Sequence, residues 1–204
     1  MTTATFDTKE FDSAPGMIMP QKLGSKLWAP MWAMSLMGFA AAFVVAIVRA
    51  REVADGAAES TLLSMRHLQA GLMFIGFASV FAAISFAIAR ILGVFRVGGG
   101  SLQESLGNRV KLLKFPNTAR AFMLGMVMAM MAIVIAVIIH FVVAANVASG
   151  STSVADGVSA FEVLEAVRRI GVAVYLLSIG LGLVTIMTVI RFQTGRIREL
   201  VRNV

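Results

Sequence analysis

The chain has 204 residues, of which 58% are hydrophobic and only 14% charged, with a mean hydropathy of +0.86. Soluble domains carry about 25% charge, so this composition excludes a single water-soluble globule. The absence of cysteine excludes a disulfide framework and a thiolate metal site, and the net charge of +7 has to be explained by where its bases lie.

Residues 1–26 mix polar and apolar side chains around Pro15, Gly16, Pro20 and Gly24, which predicts a flexible arm. Asp7, Glu10 and Asp12 precede any apolar run, so a signal peptide is not expected. Four uncharged apolar runs follow, at about Leu27 to Val48, Leu68 to Ala89, Ala121 to Ala145 and Ile170 to Ile190. A helix needs about 20 apolar residues to cross a hydrocarbon layer about 30 Å thick. Each run meets that length, and none alternates with period two as a β-barrel strand would. The expected fold is all-α: an integral membrane four-helix bundle of up-down topology.

The first run carries Gly38, Ala42 and Ala46 at four-residue spacing. Small residues so spaced let helix backbones approach closely in lipid, and this stripe is the expected contact with a partner subunit. The loop that follows holds Val53-Ala54-Asp55-Gly56, and the third loop repeats it as Val154-Ala155-Asp156-Gly157. Two duplicated hairpins, residues 27–92 and 121–193, are one reading. Chance matching among abundant Ala and Val is the simpler one.

Between the hairpins, residues 93–120 form a basic linker. From Arg90 to Arg120 there are six bases against Glu104 alone, a net charge of +5, and the tail from Arg191 adds +3. Ser101-Leu102-Gln103-Glu104 reads as a capping box. Leu102, Leu106, Val110 and Leu113 follow at helical spacing. An interfacial helix is expected, with Arg109, Lys111 and Lys114 on anionic lipid. Bases are retained on the cytoplasmic side, so linker, N-terminus and the tail at 194–204 are expected inside (N-in/C-in). The compartment this suggests is a bacterial inner membrane. Because the bases flank spans, lipid is their expected partner and nucleic acid is not.

Ser159-Ala160-Phe161-Glu162 also has the form of a capping box. It predicts a fourth helix beginning about two turns before the membrane, with Arg168 and Arg169 at its entry. The third run is rich in methionine, at Met123, Met126, Met128, Met130 and Met131, for which adaptable packing is the expected role.

Phosphate loops, zinc motifs and nucleophile elbows are absent, so no catalytic residue, metal site or enzymatic activity is expected. No ionisable residue is expected at mid-depth. His67 and His140 fall on different helices at heights within about 5 Å at 1.5 Å per residue. Two imidazoles at one height raise the alternative of a b-type haem in electron transfer. A small oligomeric transporter or channel is a further alternative. The leading expectation is a non-catalytic accessory subunit, with other integral membrane subunits as partners.

Overall fold

The computed structural model describes residues 19–97 and 116–202. They form four helices: α1 (Met19–Ala54), α2 (Glu59–Val97), α3 (Asn117–Ala148) and α4 (Val154–Arg202). All four are long and apolar enough to cross a membrane, so the chain is a multi-pass membrane protein of all-helical build. The expected linker helix and its bases Arg109, Lys111 and Lys114 fall outside the described residues. Helix α1 begins at Met19, so Pro20 and Gly24 belong to its first turns and not to the arm. Pro30 lies inside it. A proline leaves the carbonyl four residues earlier without its helical donor, here that of Lys26, one turn nearer the helix end.

Both short connections close by the same device. Gly56 and Gly150 have φ of +72° and +76°, a left-handed conformation that costs glycine nothing. The Ala57 N–H donates to Glu52 O and Gly56 N–H to Val53 O; Ser151 and Gly150 repeat the pattern on Asn146 and Val147. These are Schellman caps, which satisfy the last carbonyls of α1 and α3. Helix α4 then starts earlier than the sequence suggested. Ser153 Oγ accepts from the Asp156 N–H at 3.1 Å and donates to the Asp156 carboxylate at 2.6 Å. Ser153 is therefore the cap, and Ser159 and Glu162 are exposed residues inside the helix. The repeated tetrapeptides consequently play different parts: Gly56 ends a helix, and Gly157 is buried in the first turns of one.

Helix α1 packs along α2, while α2, α3 and α4 pack mutually around a core that includes Phe74, Phe122, Ala129, Ile133 and Tyr175. The α1–α2 contact is glycine-mediated. A Cβ on Gly38 would lie 2.8 Å from Gly76 N, and one on Gly24 2.5 Å from Phe86 O. Gly38 and Ala42 are buried in that seam and Ala46 is partly so. This corrects the expectation that the stripe meets a partner: it serves the chain's own first hairpin. Of the five methionines on α3, Met126 is buried and Met123 and Met130 partly so, whereas Met128 and Met131 are exposed on its outer face. Met126 and Met130 sulfurs accept from Ser85 Oγ and from the fully buried Tyr175 hydroxyl, both at 3.3 Å.

Candidate functional site

The contacts between helices set a common depth scale. Tyr175 stacks on Phe81, Arg168 lies over Phe74, and Phe161 meets His67 edge-on. In each pair α4 runs parallel to α2 at a constant offset of 94 in residue number. Gly24 abuts Arg90, which brings Lys26 to its level. The Ser64–Ala144 and Ser85–Met126 hydrogen bonds bring Arg120 there as well. The same registers gather Arg49, Arg66 and Asn146 at the loop end. Arg66 and Arg90 are about 36 Å apart along α2 at 1.5 Å per residue. That brackets a hydrocarbon layer of about 30 Å, and three helices agree on it.

Helix α4 does not. Its segment between these two rows runs from about 160 to 184, not from 170 to 190, and so includes Glu162, Glu165, Arg168 and Arg169. The last of these is level with Ile75, roughly 10 Å inside the hydrocarbon edge on the same scale. If the rows at Arg66 and Arg90 bound the membrane, the expectation of no ionisable residue at depth fails on α4. Hydropathy ended the span where the charges began. The register is set by packing: Phe161 meets His67, Tyr175 stacks on Phe81, and Gly171 lies against Ile133.

At the loop end of this segment the structure brings His67 and His140 together. Both rings are fully buried, at 0% and 1% exposure. Their Nδ1 atoms are 2.9 Å apart, and His67 Nε2 lies 3.0 Å from Gly157 O. A carbonyl only accepts, so His67 carries its proton on Nε2. In the neutral pair His67 Nδ1 is then bare, and His140 donates to it from Nδ1–H. That leaves His140 Nε2 as a buried acceptor with no hydrogen-bond partner. Gly157 is needed there because a Cβ would come within 2.8 Å of Leu63 and 2.9 Å of Val147. One contact thus ties α2, α3 and α4.

Around the pair, Phe161 contacts both imidazoles and Phe74 contacts His140, with centroids 5.1–5.6 Å apart. Cations cap the two phenyl rings. The Arg66 guanidinium sits 4.0 Å from the Phe161 centroid, and that of Arg168 5.3 Å from Phe74. Arg168 is ion-paired with Glu165, and Arg169 Nε lies 3.6 Å from the same carboxylate. Arg169 faces outward with 76% of its side chain exposed.

This geometry does not suit the haem alternative. Bis-histidine ligation needs the two rings to face an iron from opposite sides with a porphyrin between them. Here the rings are in direct contact through Nδ1, and His67 Nε2 is held by a carbonyl. Among the described residues, no three His, Cys, Asp or Glu side chains cluster as metal ligands. Sequence reasoning found the histidines and named Arg168 and Arg169 as the entry of α4, but it missed Glu165 and the contacts of Phe161 and Gly157 with the pair. Their signal was the acidic and basic residues at helical spacing inside an uninterrupted helix pattern. No family model matches the chain, and no curated protein or solved structure is significantly similar to it.

Proposed function

We propose that the chain is a non-catalytic subunit that acts by assembling with other membrane helices into a larger complex. The observation that supports this is the outer face of α4. Arg169 and Glu162 are exposed there, at the depth of the hydrocarbon layer or its edge. Charged side chains within a membrane face a bundle interior, a water-filled cavity or each other, because one placed against lipid at mid-depth costs about 2.5–3.5 kcal/mol on insertion scales. In a single copy Arg169 has only the Glu165 carboxylate that it shares with Arg168, and among the described residues no ion pair holds Glu162. A neighbouring helix supplies what is lacking. The grooves among the described residues favour assembly over transport. One of about 210 Å³ between α1 and α3 is lined by Met31, Met34, Ile133 and Val137, and is apolar.

Membrane placement follows the charge. The basic linker and tail set the terminal end of the bundle in the cytoplasm, where anionic lipid surrounds Lys22, Lys26 and Arg120. A bacterial inner membrane fits this arrangement. The test is native mass spectrometry of the protein extracted in mild detergent. It should carry at least one further chain, and Arg169→Leu combined with Glu162→Leu should release it with its helicity intact. A wild-type protein that runs as a bare monomer overturns the proposal.

A further inference from the structure

We propose that the His67–His140 contact is an acid-released latch, which joins α2, α3 and α4 while both rings are neutral and lets them part when the pair takes up a proton. The proposal goes beyond the assembly reading and holds with or without a partner chain. In the neutral pair three of the four ring nitrogens are committed: His67 Nε2 to Gly157 O, and the two Nδ1 atoms to each other. The one lone pair left over belongs to His140 Nε2, which is buried without a hydrogen-bond partner. A proton that enters the intact pair is therefore taken there. The latch also lies where protons arrive. His67 follows Arg66, the row at the loop end, so the water on that side is within about one helical turn.

What the added proton meets decides the outcome. The new Nε2–H is a buried donor with no acceptor, and a charged one, which is costly to leave unmade. The imidazolium stands against Phe74 and Phe161, with ring centroids 5.1 and 5.6 Å away. A ring face attracts a cation, but each of these rings already carries a guanidinium, from Arg168 and Arg66 respectively. The remaining charged groups around the junction give no relief. On α4, Glu165 is shared by Arg168 and Arg169, and Glu162 is exposed on the outer face. Helix α3 carries no charged residue besides Arg120 at its far end, and α1 brings Arg49 to this end of α2. A second proton would set two Nδ1–H groups against each other at 2.9 Å. Parted rings regain water, so acid favours the open junction, by up to about tenfold per pH unit for each proton taken up. The Gly157 carbonyl at the start of α4 is released in the same step, while the core around Phe122 and Tyr175 is untouched.

The chain has no cysteine, so one introduced thiol reports without background. Ala144 is buried on α3 one turn beyond His140, and its carbonyl accepts from Ser64 of α2. In sealed membranes Ala144→Cys is labelled from the loop side with an impermeant maleimide, at about pH 7.5 and about pH 5.5, on either side of the ordinary histidine range. Each rate is divided by that of Ser151→Cys, exposed in the adjoining connection, so that the thiol's own ionisation cancels. The ratio should rise about tenfold on acidification. It should stay level when His67→Leu and His140→Leu are combined in the same chain, because that change strands no ring nitrogen and leaves nothing there to protonate. Arg66→Gln keeps both histidines and removes one of the two flanking cations, so it should leave a smaller rise. A level ratio in the chain with both histidines overturns the proposal. So does an equal rise in the double-leucine chain, which would place the acid response on carboxylates, or an equal rise in the Arg66→Gln chain.

Discussion

His67 and His140 meet Nδ1 to Nδ1 at 2.9 Å, and because His67 Nε2 is spent on Gly157 O, the direction of the bond between them is set. The donor is His140, on α3, and the acceptor is His67, on α2. A hydrogen bond so buried is asymmetric in its energetics: removing one partner strands the other, while removing both strands neither.

Single changes of either histidine are therefore expected to cost more than their joint loss suggests. His67→Leu leaves the His140 Nδ1–H without an acceptor, and His140→Leu leaves the His67 Nδ1 lone pair without a donor. Each should destabilise the bundle by about 1–3 kcal/mol. The double replacement should fall well short of the sum. Denaturant titration of the four proteins in detergent gives the coupling; strict additivity would show that the pair does not act as a unit. The purified protein should also lack a Soret band, because its two rings hold each other and not an iron.

The first hairpin makes a second expectation. Gly38 faces Gly76 with no room for a side chain, so Gly38→Leu forces the α1–α2 seam apart. Overpacking of a tight core typically costs about 1–3 kcal/mol, and backbone contact puts this site at the upper end. The expected outcome is a protein of lower thermal stability whose α1 is cleaved by protease while α2–α4 persists. Loss of a partner with an unchanged melting temperature would restore the Gly38 stripe as an external contact.

Sidedness is testable with thiols. One span, α2 or α3, separates each Schellman-capped loop from the linker, so Ser153→Cys and Ser105→Cys are expected to label from opposite sides of a sealed membrane. The basic linker predicts that Ser105 is reached from the cytoplasm. Labelling of both from one side would remove the up-down arrangement.

The four helices were legible because nothing in lipid competes with a charge-free run of about 20 residues. Histidine pairing was legible as a coincidence of height. What the sequence hid was register between helices. Hydropathy treats each run alone, and Arg168 and Arg169 look like the edge of a span because they end an apolar stretch. The register of α4 follows from three close approaches: Gly125 of α3 against Ser178, Gly171 against Ile133, and Gly182 against Phe122 and Ile88. The role of Gly38 was obscured for the same reason: a small-residue stripe announces close approach without saying which helix approaches.

Depth along α4 is the most direct check on this account. If the rows at Arg66 and Arg90 bound the membrane, Ala166→Cys lies inside it despite its neighbours Glu165, Arg168 and Arg169, and Thr188→Cys lies beyond its other edge despite the apolar residues around it. A water-borne maleimide should then modify Ser151→Cys and Thr188→Cys at least tenfold faster than Ala166→Cys or Ala173→Cys. Hydropathy alone predicts the opposite ranking for the two contested positions, with Ala166 free and Thr188 shielded. Should Ala166 react as fast as Ser151, the layer follows α4 instead. Lys26, Arg90 and Arg120 would then be the charges drawn into hydrocarbon, three on three helices in place of Glu165, Arg168 and Arg169 on one. The packing would also have to leave His67 and His140 outside the membrane, together with the exposed Phe43, Val44, Ile138 and Val142 around them. That second placement exposes more apolar surface to water, whereas the first sets Arg168 and Arg169 in the layer already joined to Glu165.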